Sequence, residues 1–316
     1  MMQKPKVVCI VGPTACRKTE ASVGLAKRCN GEIVSADSVA VYRGLDIGSA
    51  KPTVEERQGI PHHMIDVVDI TDTSFTVASF REIARSSIDR ILSNHKLPIV
   101  VGGSGLYADA IFSEMRFCAP SDETIRAALE KDYAQNPNDV FARLKAVDAI
   151  TASRLHPNDA KRVIRALEVY EVSGKPFSQW NASFQNAQEK GETYYVRRIG
   201  LSMPREALYK RIEQRVDLMF QNGLKEEAYA LFERGQTPDR YTAMQSIGYA
   251  QLYDAYCGRC TVEEAKARIK LDTRHFAKRQ MTWFRRNPKT VWVEITPETD
   301  SAALIDRIAE EIENDR

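Results

Sequence analysis

The sequence predicts an α/β fold, a parallel sheet core interrupted by an all-helical insertion. β-branched runs alternate with amphipathic stretches up to residue 119. The alternation stops between residues 120 and 192, then resumes at Tyr194. With 43% hydrophobic and 28% charged residues in 316, the composition is that of a globular protein and excludes a disordered or fibrous one. The apolar run nearest the start, residues 7–11, falls far short of the roughly 18 to 20 residues of a membrane span and is short even for a signal-peptide core. The expectation is therefore a cytoplasmic protein with no membrane partner.

Residues 6–11 (KVVCIV) form the first predicted strand, closed by Gly12-Pro13, and a helix follows over 19–27. Residues 32–36 (EIVSA) are a second strand that delivers Asp37 and Ser38 at its end. Between 75 and 95, Val77, Phe80, Ala84, Ile88, Ile91 and Leu92 recur at spacings of three and four, an amphipathic helix. Residues 97–101 (LPIVV) make a third strand, ending in Gly102-Gly103-Ser104-Gly105. Strands alternating with helices imply parallel pairing with right-handed crossovers. Beyond Pro120 only helical signals appear. Ser121 to Thr124 can cap one helix, Pro157-Asn158-Asp159 can open another over 160–172, and Ser173-Gly174-Lys175-Pro176 can end it. Strands return at 194–201 and 290–295, with helices filling 205–286. The expected division is a core of residues 1–119 and 193–316 around a helical insertion at 120–192, about 70 residues and so domain-sized.

Lys and Arg number 45 against 43 Asp and Glu, a net charge of +2 that by itself announces no polyanionic partner. Its distribution is uneven. Residues 268–289 carry eight basic side chains (Arg268, Lys270, Arg274, Lys278, Arg279, Arg285, Arg286, Lys289) against the single acid Asp272, whereas 294–316 carry eight acids against two arginines. The basic stretch reads either as a solvated helix face or as a phosphate-contacting strip. Six cysteines read as reduced thiols, and the one close pair, Cys257 and Cys260, lacks the context of a redox or zinc motif.

The chemistry begins between the first strand and the first helix, at Gly12-Pro13-Thr14-Ala15-Cys16-Arg17-Lys18-Thr19. Phosphate loops here work because backbone amides and a helix N-terminus converge on phosphate oxygens, a lysine adds charge and a hydroxyl can contact Mg²⁺. Arg17 occupies the second glycine of the usual G-x-x-x-x-G-K-[ST] pattern. Gly12, Lys18 and Thr19 nonetheless stand in register at the end of the first strand, giving a P-loop NTPase-like parallel sheet core with an inserted all-helical domain. Asp37 ends the second strand, where ligands bind in open parallel sheets, and reads equally as a reactive acid or a turn cap. The third strand ends in glycines and Ser104 rather than a magnesium-binding acid, which argues against an ordinary NTPase.

Residues 35–52 (SADSVAVYRGLDIGSAKP), 100–107 (VVGGSGLY), His156 to Asp159 with 165–170 (RALEVY), and 278–285 (KRQMTWFR) resemble the signature blocks of tRNA dimethylallyltransferases, in family order over nearly the whole chain. The resemblance implies transfer of a dimethylallyl group from dimethylallyl diphosphate to the exocyclic amine of the adenosine 3′ to the anticodon of tRNA. It implies Asp37 as general base, with Gly12, Pro13, Thr14, Ala15, Cys16, Arg17, Lys18, Thr19 and Arg215 holding the diphosphate. Thr19 would contact Mg²⁺, the implied cofactor. Asp37, Ser38, Val39, Ala40, Ser104, Arg126, Lys161, Arg162, Val163, Ile164 and Arg165 would touch tRNA, and the protein would act as a monomer. Three departures stand out: Cys16-Arg17 replaces Ser-Gly, Ala40 replaces a common Gln, and no eukaryotic-type zinc finger follows Arg286. A non-catalytic tRNA-binding paralogue and a small-molecule kinase using ATP in the same loop remain as alternative readings. Because a guanidinium can either bind phosphate or crowd it, the sequence predicts an Arg17 side chain turned to the phosphates or to solvent. On that reading transfer is weakened but not lost, and Arg17→Gly raises the rate.

Overall fold

Five consecutive residues of strand β1 (Lys6–Val11), Val7 to Val11, are wholly shielded from solvent, because helices cover both faces of the sheet it centres. The computed structural model describes residues 4–113, 118, 121–180 and 193–313. The chain divides into two compact units, Met1–Phe112 with Tyr194–Arg316, and Ser113–Thr193. In the first, β1 is joined by β2 (Gly31–Ser35), β3 (His62–His63), β4 (Leu97–Gly102), β5 (Tyr195–Ser202) and β6 (Val291–Glu294). The sheet order is β3, β2, β4, β1, β5, β6, and every pairing is parallel. Five strands lie within a residue or two of their predicted positions. β3 has no counterpart in the sequence reading, because two histidines carry no apolar alternation and form a strand only by pairing with Ile33 and Val34.

Helices α1 (Lys18–Arg28), α2 (Val54–Arg57), α3 (Val77–Ser93) and α4 (Gly105–Phe112) precede the insertion. Within it lie α5 (Glu123–Gln135), α6 (Pro137–Val147), α7 (Ala149–Ala152) and α8 (Ala160–Ser173). After it come α9 (Arg205–Gln221), α10 (Leu224–Glu233), α11 (Tyr249–Tyr256), α12 (Val262–Phe284) and α13 (Ser301–Glu313). The period of two in β1 sorts its side chains: Val8 and Ile10 pack with α1 and α13 on one face, and Val7, Cys9 and Val11 with α3 and α4 on the other. No helix among the described residues is long and apolar enough to cross a membrane.

Three of the eight basic side chains of the stretch 268–289 form ion pairs within their own unit. On α12, Lys270 and its neighbour Lys266 meet Asp217, Arg274 meets Glu213 and Arg268 meets Asp254, all within 3.0 Å. The exposed remainder clusters at the end of α12 and just beyond it: Lys278, Arg279, Arg285, Arg286 and Lys289.

The second unit is built by capping and one buried acid. Asp122, Asn136 and Asp159 accept backbone N–H groups at the starts of α5, α6 and α8, and Gly174 at φ +67° ends α8. Leu129, Val140, Leu144, Val163 and Leu167 form its core. Glu168 lies in that interior with no exposure. It accepts hydrogen bonds from Ser121 Oγ at 2.6 Å and Asp122 N at 3.0 Å, and pairs with Arg126 at 2.9 Å and Arg165 at 2.8 Å. Burial alone would raise its pKa, but the Ser121 hydroxyl and the two guanidiniums hold it down to about 2. A depressed carboxylate stabilises the fold fully above its unfolded value near 4.3, and that contribution is lost as pH falls through the folded value. Glu168→Gln should cost about 3 kcal/mol by stranding two guanidiniums. Urea unfolding of the full chain between pH 7 and pH 2 should show the parent losing stability below about pH 4.3 and the variant losing less.

Candidate active site

The loop between β1 and α1 has a backbone that few sequences tolerate. Gly12 sits at φ +153°, and a Cβ there would lie 2.6 Å from the Leu201 carbonyl oxygen. Ala15 and Arg17 both adopt left-handed conformations, at φ 63° and 55°, each costing a non-glycine residue about 1 to 2 kcal/mol. Side chains from two distant helices hold this path. Gln280 of α12 accepts from Thr14 N at 2.9 Å and donates to Gly103 O at 2.9 Å, tying the loop to the turn after β4. A Cβ at Gly103 would meet the Gln280 amide at 2.3 Å, so glycine there makes room for the bridge. From α9, Arg211 donates to Ala15 O at 3.0 Å, and Arg215 reaches Thr14 Oγ1 at 3.5 Å and Ala50 O at 3.3 Å.

The loop therefore gathers positive charge. Lys18 Nζ donates to Pro13 O at 2.7 Å and ion-pairs with no carboxylate among the described residues. Burial, reinforced by the Arg215 charge, holds its pKa down to about 8, while Asp37 pulls the other way. Arg215 is likewise lowered, by burial first and by Arg211, with Asp37 again opposing. The structure thus brings Asp37, Lys18 and Arg215 into one electrostatic neighbourhood at the strand ends. The turn-cap reading of Asp37 holds at one atom: Oδ1 accepts from Val39 N at 2.8 Å and Ala40 N at 3.1 Å, while Oδ2 accepts no hydrogen bond among the described residues. Ser104 Oγ accepts from Ser38 N and donates to Ser38 Oγ, both at 3.0 Å, binding the turn after β4 to the one after β2.

Several expectations need correction. The Arg17 guanidinium turns neither to the loop cavity nor to open solvent: it grips Glu20 with two hydrogen bonds at 2.8 and 2.7 Å and bonds to Thr299 O and Ser301 Oγ. The reason is proximity, since a residue at the N-cap of α1 has a carboxylate three positions along the same helix. Pro13 has no N–H to offer phosphate, and its carbonyl serves Lys18 instead. The Cys16 side chain is buried in the core and burial pushes its thiol up to about 11, so only its backbone faces the loop. Ala40 is buried too, which leaves its side chain little surface to offer RNA, whereas Val39 is half-buried at the edge of the core that holds Leu45 and Ile70.

In the helical unit, Val163 and Ile164 belong to its core and cannot present side chains to a partner. Arg126 and Arg165 are committed to Glu168. Arg162 is exposed and pairs with Asp159 at 3.1 Å, and Lys161 is exposed. No group of three His, Cys, Asp or Glu side chains suited to a metal ion occurs among the described residues. Thr19 fits the remaining possibility for Mg²⁺, because its hydroxyl stands half-buried at the start of α1 with no hydrogen bond among the described residues, beside the place where an anion would supply the other oxygens. Sequence reading gave no role to Gln280 or Arg211. Arg211 had a signal, being four residues before Arg215 on one helix face, and Gln280 lies in the block 278–285, but its reach across 266 positions to the loop has no local pattern.

A lysine ionising near 8 attracts an anion below that pH and loses its charge above it. Calorimetric titration with inorganic pyrophosphate should show affinity falling as pH rises through 8, with the dependence flattened in Lys18→Met.

The family model described as IPP transferase matches residues 40–287. A tRNA dimethylallyltransferase of Geobacillus kaustophilus is 45% identical over 306 residues, 96% of this chain and 95% of that protein. One from Pelotomaculum thermopropionicum is 45% identical over 308 residues, 97% and 96% of the two chains. The crystal structure of the full-length tRNA isopentenylpyrophosphate transferase of Bacillus halodurans matches with a TM-score of 0.71 at 40% identity, over 98% of each chain. A eukaryotic dimethylallyltransferase acting on tRNA matches with a TM-score of 0.80 at 27% identity, over 98% of this chain and 79% of that one. With its phosphate loop, its parallel sheet and this likeness over nearly its full length, the chain belongs to the IPP transferase family.

Proposed function

We propose that this chain transfers the dimethylallyl group of dimethylallyl diphosphate to the exocyclic amine of the adenosine 3′ to the anticodon in tRNA. The observation that carries the reading is a cationic loop after β1 with an acid after β2, both at the C-terminal ends of parallel strands: Asp37 acts electrostatically on both Lys18 and Arg215. The amine lone pair attacks the allylic carbon, the carbon–oxygen bond to diphosphate breaks, and the amine proton passes to Asp37 Oδ2. Lys18, Arg215 and the first-turn amides of α1 stabilise the charge that gathers on the departing diphosphate. Mg²⁺, contacted through Thr19, would add neutralising charge to the same oxygens. The adenine must leave its stack to reach Asp37, as base-modifying enzymes require. A kinase reading has less support, because β4 ends in Gly102-Gly103-Ser104 without a metal-binding acid. The paralogue reading has less support, since the Arg17 guanidinium is taken up by Glu20 and the Thr299 carbonyl.

Incubating unmodified tRNA with the protein, Mg²⁺ and dimethylallyl diphosphate, then digesting it to nucleosides for mass spectrometry, tests the proposal directly. Prenylated adenosine supports it, and unmodified adenosine under conditions of confirmed tRNA binding sinks it. Asp37→Asn keeps an acceptor for the turn but removes the base. Single-turnover transfer should fall by about 10² to 10⁴ with tRNA affinity unchanged, and an unaltered rate would leave Asp37 as a turn cap only. Replacing the exposed cations Lys161, Arg162, Lys278 and Arg279 by alanine should flatten the log affinity against log salt slope by up to about one unit per lost phosphate contact, measured by filter binding.

A further inference from the structure

The residue that breaks the phosphate-loop pattern is also the most heavily bonded side chain near it. Arg17 Nε and Nη2 bond the two Glu20 oxygens, Nη2 also bonds Ser301 Oγ at 2.9 Å, and Nη1 bonds the Thr299 carbonyl. Ser301 Oγ donates to Glu20 as well, closing a ring of three side chains. The Arg17 side chain is only 10% exposed, so the guanidinium is covered although its partners Glu20 and Ser301 stand at the surface. Its far anchor is firm without Arg17: Ile305 of α13 fills the space left by Gly24 of α1, where a Cβ would lie 2.1 Å from it, and Asp306 pairs with Arg28.

We infer that Arg17 is a positioning residue, a latch that fastens the phosphate loop to the start of α13 and neutralises Glu20. The inference rests on the reading of this loop as the diphosphate cradle. Two consequences follow from the geometry. Arg17 is the N-cap of α1, and its left-handed backbone sets the direction of the amides of residues 17–19; two bonds to Glu20 of the same helix and two to Thr299 and Ser301 hold that conformation where a glycine would adopt it unaided. Glu20 stands in the first turn of the same helix, and without its guanidinium partner it would place an uncompensated negative charge beside an anion site. In this chain Arg17 thus does by tethering what the usual glycine does by freedom, and it brings the C-terminal helix into the function of the loop.

Inorganic pyrophosphate binding to the full chain, measured by calorimetry, separates the latch from a surface ornament. Arg17→Ala should weaken pyrophosphate about five- to tenfold, and Ser301→Ala by a smaller factor. The double variant Arg17→Ala/Ser301→Ala should be no weaker than Arg17→Ala alone, because both changes open one ring. Adding Glu20→Gln to Arg17→Ala should recover most of the loss. Arg17→Lys, which keeps the charge beside Glu20 with fewer bonds, should fall between parent and alanine and covers the case in which Arg17→Ala folds poorly. In steady-state transfer the KM for dimethylallyl diphosphate should rise with kcat within about twofold of the parent, a split expected of lost substrate positioning. Parent-like pyrophosphate affinity in Arg17→Ala and Arg17→Lys would overturn the latch, as would multiplying effects at positions 17 and 301. Either result leaves the proposed activity standing, whereas a parent protein that does not bind pyrophosphate would remove the cradle and the activity together.

Discussion

Two cations that repel each other and lack a hydrogen-bonded counter-charge dominate this molecule. Burial lowers the pKa of both Lys18 and Arg215, the Arg215 charge adds to the effect at Lys18 and the Arg211 charge adds to it at Arg215, and neither meets a carboxylate directly among the described residues. Such an arrangement is costly in a protein without a ligand, and it becomes favourable when an anion arrives to share both charges. The surrounding structure holds the two cations at their stations against that repulsion. Lys18 is anchored to Pro13 O, and Arg215 to Thr14 and Ala50.

The stations are themselves built from remote pieces of chain. The Ala50 carbonyl belongs to a loop fixed by two polar knots. Lys51 is nearly buried and donates to Tyr42 O, Asp46 and Asp66 at 2.5 to 2.7 Å. Glu227 of α10 accepts the amides of Asp46, Ile47 and Gly48 and the hydroxyl of Tyr249. Below the phosphate loop, Gln280 joins it to the end of β4, so both strand-end turns move with α12. Each knot satisfies backbone groups that an irregular segment would otherwise leave unpaired, which makes loops as definite here as the sheet itself.

The fold was legible because its signals are local and periodic. The runs at 6–11 and 97–101 are continuous apolar strands, as a sheet covered on both faces demands, and the three-and-four spacing of Val77 to Leu92 describes α3. Asp122, Asp159 and Gly174 mark helix ends because capping involves neighbours within three residues. The place of the loop between β1 and α1 was legible despite its broken motif, and so was the position of Asp37 just beyond β2. The roles of single side chains were less so. The family resemblance implies RNA contacts at Arg165 and Arg126, but a buried Glu168 pairs with both; Val163 and Ile164 of α8 face inward. The basic stretch of α12 divides in the same way, with Arg268, Lys270 and Arg274 answering acids on other helices.

By itself the sequence determined the strands, most helices, the helical insertion and which residues stand at the strand ends, since these depend on residue type, spacing and the obligatory pairing of backbone groups. Tertiary structure alone decided which charges remain available to a ligand and which are spent on neighbours. Arg17 shows why: in sequence it stands in a phosphate motif, and in space its guanidinium lies against Glu20 and against a helix nearly 300 residues away. Pairing of charges is fixed by distance in the folded chain, and distance between remote segments leaves no mark in local pattern.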